Sequence, residues 1–443
     1  MEATFADLDK LVALITSAVA DLKDEHRRMQ YPFPSLNDTQ PHPLDSQHTP
    51  PKLNQAIQTI QGACAQLTTM VTPPSHTLAR RALECLNSAC TRVVIEVKIA
   101  DILKDHPEGL HVSELAGKTG VHPQKLGRIL RLLATNHCFR EVRKDVYVNN
   151  RLSMLLTPED EVGVYVHMAG DEMYKSGVYL CETLLDKNLS HSLEPDKTAF
   201  TRFYGKTLWD FWEEHPRNRQ RFQVAMAGWA QVENMHSAER GYPWSAAPPG
   251  TVLCEVVGGL GHMSMHIARR HPNINVIVQD LESIVNQAIG YWNGFGAELV
   301  EQDRVDFLPL DPLVESPVED CDYYYVKHVL HHWHDEGAVT ILSNVRKVMK
   351  PSSRLILQEY IIQSTAGDAC KEENDSLPRA PAPLLANYGE GKINRYLLDI
   401  TMLTCLNSKE RTFLEYKGLC ERAGLKFVKM YDCGELSALE FKA

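Results

Sequence analysis

Residues 251–262 read Thr251-Val-Leu-Cys-Glu-Val-Val-Gly-Gly-Leu-Gly-His262, and this stretch decides the fold. Its first seven residues are a mostly apolar, β-branched run of the kind that forms a strand buried on both faces. The glycines that follow let the backbone turn tightly and come close to a bound group, where a Cβ would collide. From His262 to Arg270 the pattern becomes helical. Strand, glycine turn and helix make the first part of a βαβ unit. Working outward, Asn275–Asp280, Tyr323–Val326 and Leu355–Glu359 are further short apolar runs. Helical segments lie between them, such as the one carrying Ala338, Ile341, Leu342, Val345 and Met349, closed by Pro351. This alternation predicts parallel βαβ units in a doubly wound α/β sheet. Ligands of such sheets sit at the carboxyl ends of the strands.

The second strand ends at Asp280, twenty-one residues beyond Gly259. An acid at that spacing accepts hydrogen bonds from the hydroxyl pair of a ribose. A dinucleotide loop wants Gly-x-Gly-x-x-Gly, but here Ser264 stands at the third glycine. A phosphate loop of the Gly-Lys-Ser/Thr type is absent. Glu255, just before the turn, suits the cationic amino-acid end of S-adenosylmethionine (SAM). The ligand therefore reads as SAM rather than NAD, with Glu255, Gly258, Gly259, Gly261 and Asp280 as candidate contacts.

The 443 residues carry 57 acidic and 46 basic side chains, a net charge of −11. An acidic surface repels phosphate, which argues against a chain whose main work is coating nucleic acid or an anionic membrane. The N-terminus is acidic and has neither the basic flank and apolar core of a signal peptide nor the character of a transit peptide. No run of about 18 apolar residues is present, so no spanning helix is expected. Eleven scattered cysteines without a Cys-x-x-Cys pair read as free buried thiols in a reducing, cytoplasmic setting.

Upstream, residues 4–26 show amphipathic spacing, with Phe5, Leu8, Val12, Ile15, Val19 and Leu22 at intervals of three and four. Prolines at 32, 34, 41, 43, 50 and 51 predict an extended arm. Helical patterning returns from about Leu53 to Leu103. Residues 94–156 then read as a winged helix. A short helix is capped by Ser113 and ended by Gly120. A second opens at His122-Pro123 and buries Leu126, Ile129, Leu130 and Leu133, and a ribbon turns at Lys144-Asp145. Lys125, Arg128 and Arg131 are thin support for DNA binding on an acidic chain, so packing or dimerisation is the preferred role. The resulting domain plan is 1–93 for N-terminal helices and arm, 94–160 for the winged helix, 161–245 for a helical connection contributing to the substrate pocket, and 246–443 for the SAM-binding catalytic domain.

Lys327-His-Val-Leu-His-His-Trp-His-Asp-Glu336 follows the strand ending at Val326 and so lies at the ligand edge. One neutral imidazole there can take a phenolic proton near pH 7. His328 and His332 share a face only in a helix, and no His-Glu-x-x-His motif is present, so no metal site is expected. Glu359 closes the next strand at the same edge. Glu410 precedes a helix and reads equally as a capping acid.

Val329-Leu-His-His-Trp-His-Asp-Glu resembles the Leu-His-Asp-Trp-x-Asp-Glu signature of the caffeate/hydroxyindole-type class I O-methyltransferases. The loop at 255–261, Asp280-Leu281, Leu310-Asp311, Gln358-Glu359-Tyr360 and Glu410-Arg-Thr match the same family in order and spacing over about residues 94–443. The Pro-rich arm and the insert at about 364–391 look more like fungal secondary-metabolite members. The resemblance implies His331 as catalytic base, oriented by Glu359 and Glu410. It places Gly259 and Gly261 in the SAM loop, Asp280 and Leu281 at the ribose, Asp311 at the adenine edge and Lys327 near the cofactor. It also implies Met226, Trp229 and Met402 at the acceptor, a small aromatic hydroxyl compound, a homodimer built through the N-terminal half, and no metal. The chain departs from the family at Glu255 (usually Asp), Val257 (usually Gly), His332 (usually Asp) and His334 (usually Ser or similar), which leaves the base open between His331 and His332. A rival function is a winged-helix sensor of SAM or a metabolite on a catalytically inactive methyltransferase fold.

Overall fold

The computed structural model describes residues 2–45, 49–234, 239–366 and 377–443. The chain forms two compact units. One holds residues 1–48, 55–192 and 196–232, and the other holds 49–54, 193–195 and 233–443.

The first unit is mainly helical. The amphipathic N-terminal segment forms one helix, Glu2–Met29. The expected helical region after the Pro-rich arm is divided into Pro51–Val71, Pro74–Leu83, Cys85–Glu96 and Ile99–Lys104. Pro73-Pro74 breaks the first from the second because proline clashes with a preceding helical turn. Lys98, at φ 55°, breaks the last pair. The winged helix follows as helices Val112–Thr119 and Pro123–Thr135 with strands β1 (Leu110–His111), β2 (Arg140–Arg143) and β3 (Val146–Val148), ordered β1-β3-β2 and antiparallel. Leu115, Leu126, Leu130, Leu133, Phe139 and Tyr147 close its core. Each fully buried leucine there contributes roughly 2 kcal/mol of transfer free energy. The expected cap is corrected: His111, not Ser113, caps the first helix, its Nδ1 accepting the N–H of Ser113 while Glu114 bonds back to the His111 N–H. Gly120 ends that helix at φ 73°, as its position implies. Arg131 donates to Asp145 of the ribbon turn at 2.9 Å, so one of the three basic residues offered to DNA is already paired.

The second unit is a seven-stranded sheet. Its strands are β4 (Thr251–Val256), β5 (Ile274–Asp280), β6 (Val305–Pro309), β7 (Tyr323–Lys327), β8 (Arg354–Glu359), β9 (Lys426–Cys433) and β10 (Leu436–Lys442), in the order β6-β5-β4-β7-β8-β10-β9. The five strands from β6 to β8 pair in parallel, whereas β10 runs antiparallel to both β8 and β9. Strand order reverses direction between β4 and β7, and there the loops after the two strands diverge and leave a crevice. The register sets its floor. Glu255 is level with Val278 and Tyr325, and Lys327 with Gln358, so the ends of β4, β5, β7 and β8 open on one edge. Helices His262–Arg270, Asp335–Val348 and Phe413–Arg422 are among those in this unit. Ile341, Leu342, Val345, Leu355, Leu357 and Tyr416 are fully buried in the core against the sheet.

Among the described residues, the ten cysteines are free thiols, but not all are buried as expected: Cys64, Cys85 and Cys181 are exposed because they lie on solvent-facing sides of their helices, and Cys370 lies outside the described residues. No described helix is long and apolar enough to cross a membrane.

Candidate active site

The glycine loop follows β4. Gly259 and Gly261 sit at φ 59° and 73°, in the left-handed region that side chains disfavour. A Cβ on Gly261 would lie 2.9 Å from Trp292 Nε1 and from Val278, whereas a Cβ on Gly259 would meet nothing within 4 Å. So Gly261 is packed against the sheet and Gly259 borders open space on the crevice side. Trp292 anchors the turn by donating to the Leu260 carbonyl at 2.9 Å. Val257, where the resembling family has glycine, adopts φ 58° despite its branched Cβ, a strained position.

Asp280 ties β5 to this loop. Its Oδ2 accepts the Gly259 N–H at 2.8 Å and its Oδ1 the Leu281 N–H at 2.7 Å. Each carboxylate oxygen has two lone pairs, so these bonds aim the group without exhausting its acceptor capacity. Leu281, beside it, is 49% exposed, an apolar surface next to an acid, as a nucleoside requires. Glu255 lies beneath the loop. It is buried and accepts a hydrogen bond from the hydroxyl of Ser264, the residue that breaks the dinucleotide pattern. Burial raises its carboxyl to about 7, against the lowering effects of Ser264 and Lys327. Asp311 follows β6, where Leu310 donates to the Asp280 carbonyl at 2.8 Å. Its Oδ1 accepts the Leu313 N–H within its own turn. The open side of Gly259, the aimed carboxylate and the exposed Leu281 fit an adenosine-bearing cofactor.

The histidine segment leaves β7 through His328, at φ 53°, into a short turn, Leu330–His332. Its four histidines separate by role. His334 caps helix Asp335–Val348, accepting the Gly337 N–H. His331 is 4% exposed, and its Nδ1 lies 2.6 Å from Glu410 Oε1. Glu410 is therefore not a cap: Thr412 caps the following helix. Glu359 Oε2 is 4.0 Å from His331 Nδ1, while its Oε1 accepts the backbone N–H groups of Val329 and Leu330 at 3.1 Å each. Glu359 thus holds the turn, and Glu410 holds the ring. Burial would raise Glu359, but His328, His331 and the Leu330 N–H outweigh it and leave the carboxyl lowered.

Because the ring of His331 meets a carboxylate at Nδ1, its single neutral-form proton belongs there and Nε2 carries the lone pair. His332 Nε2 lies 3.1 Å from that Nε2, and it can donate there only in the tautomer that carries its proton on Nε2. Burial, then the neighbouring His331 and His328, push His332 well below the ordinary histidine range. Arg411, fully buried, fixes the whole turn by donating to the carbonyls of Leu330 and Trp333 at 2.8 and 2.7 Å and to Asp335.

One residue here, Glu233, carried no sequence signal of its role. Glu233, 1% exposed, sits 3.0 Å from Lys327 Nζ and 2.5 Å from His328 Nε2. It is 94 positions from Lys327, too far for any motif to connect them. His328, His331 and Glu359 place ligand-type atoms within 4.8 Å of one another. All three already have other partners, His328 in the carboxylate of Glu233, His331 in that of Glu410 and Glu359 in two backbone donors. Of the candidate acceptor residues, Met402 is buried on helix Ile393–Leu406 of the second unit. Met226 and Trp229 lie on helix Pro216–Val232 of the first, where Trp229 packs on Tyr165 with ring centroids 4.8 Å apart.

Residues 185–378 match a family model described as an O-methyltransferase domain, and residues 81–159 match one described as an O-methyltransferase dimerisation domain. Glu410 lies beyond the first of these segments. The chain is 41% identical to 3-O-methyltransferase 2 of Phanerochaete chrysosporium, over 98% of this chain and 97% of that one. Among solved structures it is similar to the mitomycin 7-O-methyltransferase MmcR, with a TM-score of 0.67, 23% identity and coverage of 83% of this chain and 97% of that one. It is also similar to LepI in complex with SAM, with a TM-score of 0.70, 18% identity and coverage of 86% and 92%. At those identities the two structures bear on the fold alone.

Proposed function

The chain belongs to the O-methyltransferase family and is a SAM-dependent enzyme, and from that premise we propose that it methylates a hydroxyl of a small aromatic metabolite with His331 as general base. The observation that carries this reading is the 2.6 Å contact between His331 Nδ1 and Glu410. It favours the tautomer whose Nε2 carries the lone pair, which a substrate hydroxyl would take over from His332, and it offsets the positive charge the ring acquires. His332, pushed well below its ordinary range by burial, is the poorer acceptor of the two. The sensor alternative has no use for such a pair.

The site residues divide accordingly. The backbone of Gly258, Gly259 and Gly261, with Asp280, Leu281, Asp311 and Lys327, would hold the cofactor, and Glu255 would support the loop from below. Bound SAM supplies an electrophilic methyl group. His331 removes the phenolic proton through Nε2 as the oxygen becomes nucleophilic, and Glu410 keeps the Nδ1 proton in place. Glu359 and Arg411 hold the turn rigid, so that the base does not drift from its proton. Met402, in the same unit as His331, is proposed to contact the acceptor. The reading calls on no metal, and the products are a methyl ether and S-adenosylhomocysteine.

Labelled SAM and a panel of phenols, with and without a chelator, test this. His331→Ala folds and binds SAM by calorimetry but transfers methyl about a hundredfold more slowly or worse, the usual size for a lost general base. EDTA leaves turnover unchanged. Wild-type rates in the variant would remove His331 from the role, and zinc-restored activity after EDTA would make the histidine cluster a metal site.

A further inference from the structure

We infer that His328 is a positioning residue for the base: a fixed cation stacked on His331 that prevents the surrounding carboxylates from holding a proton on that ring. The inference rests on the reading of His331 as base. The two rings lie with centroids 5.1 Å apart and planes 25° from parallel. Three carboxylates face them: Glu410 at 2.6 Å from His331 Nδ1, Glu359 at 4.0 Å from the same nitrogen and 3.5 Å from His328 Nδ1, and Glu233 at 2.5 Å from His328 Nε2. Lys327 on the same strand end pairs with Glu233 at 3.0 Å. On the remaining sides stand His332 and the ring of Tyr360, 5.5 Å from His328, with Arg395 over that ring.

The charge balance at His331 depends on His328. An imidazole among three carboxylates and one ammonium would keep its proton, because each nearby negative charge favours the charged form. A general base works only with its lone pair available. Burial acts to strip His328 of its proton, and Lys327 acts the same way. Glu233, with Glu359, outweighs both and raises the ring to about 9. The cation therefore persists through neutral pH. Neither ring nitrogen of His328 makes an aligned hydrogen bond, so charge rather than bond geometry holds it. The backbone does not select histidine either. At φ 53° glycine or asparagine is more at ease.

The test compares wild type with His328→Asn and His328→Lys. One arm follows the ring nitrogens of ¹⁵N-labelled histidine against pH, with His331→Gln to assign the signals. The other follows kcat against pH with labelled SAM and a mono- or dihydroxybenzene. In His328→Asn the ring of His331 stays protonated to a pH about one to two units higher than in wild type. The acidic limb of kcat moves with it. His328→Lys restores the charge and returns both toward wild type. Backbone preference alone predicts the reverse order, since asparagine suits the left-handed region better than lysine. An identical His331 titration in wild type and His328→Asn overturns the inference, as does a lysine variant worse than the asparagine one. A ring titration that moves while the rate profile stays fixed upholds the role of His328 and removes His331 as base.

Discussion

At the scale of single residues, the site rests on a division of labour between two glutamates that look alike in sequence. Glu410 touches the His331 ring directly, whereas Glu359 accepts two backbone N–H groups of the turn that carries it. Substituting each by glutamine separates these roles. Glu410→Gln keeps an acceptor near Nδ1 but loses the charge that balances the imidazolium, so kcat falls about ten- to a hundredfold with the melting temperature little changed. Glu359→Gln weakens charged bonds to two buried donors. Its stability falls by roughly 1–3 kcal/mol, and its melting temperature suffers more than its chemistry. Paired kinetics and thermal melts decide the matter, and equal behaviour of the two variants would contradict it. The same scale accounts for Ser264, which replaces a glycine of the dinucleotide pattern and instead donates its hydroxyl to Glu255 under the loop.

At the scale of elements, the loop after β4 and the end of β7 behave differently under substitution. Gly261→Ala places a Cβ 2.9 Å from Trp292 and Val278 on a left-handed backbone, so the loop itself must shift and the protein loses roughly 2–3 kcal/mol. Gly259→Ala meets no neighbour, and its cost is the backbone strain alone, roughly 1 kcal/mol. It nevertheless weakens SAM binding at least tenfold, because the new methyl projects into the space the cofactor needs. Calorimetry and denaturant melts on the pair check this contrast. The β7 end carries its own pH signature. His328 is raised from 6.5 to about 9 by Glu233 against burial, so its stabilising contribution is complete below about 6.5 and is lost as pH rises through about 9. Glu233 is held down at about 2 against burial by His328 and Lys327, so its contribution is complete above 4.5 and is lost as pH falls toward 2. The melting temperature therefore declines between about pH 6.5 and 9, and Glu233→Gln flattens the decline. A variant with the wild-type slope would assign the decline to other groups.

At the scale of the whole molecule, the helical unit presents apolar residues with no cover in a single chain. Val71, Leu78, Leu83 and Leu86 stand exposed on successive helices, the last two inside the segment that matches a dimerisation domain. A two-fold interface covers such surfaces most economically. Light scattering is expected to show a species of about 100 kDa, twice the 50.0 kDa chain, and deletion of the first 50 residues is expected to weaken it. A 50 kDa species for the full chain, together with full activity after that deletion, would rule the dimer out.

What was legible in the sequence was whatever local pattern determines by itself. Strands β4, β5, β7 and β8 are largely buried on both faces, so they appear as mostly apolar runs whose ends fall within a residue or two of those observed. The glycine turn, the acid at Asp280 and the placement of His331 at the sheet edge follow from those strands. Strand β6 and the β9-β10 hairpin were not legible. Most of β9 is exposed or half-buried, with Lys426 and Lys429 interrupting its apolar residues, and it becomes a strand because β10 offers it a partner. The same limit governs the site. Glu410 and His331 are 79 positions apart, and Glu233 and Lys327 are 94 apart. Periodicity reports which face of an element is buried. The partner of a buried charge is decided only when the sheet brings distant loops to one edge, because attraction between charges acts through space and not along the chain.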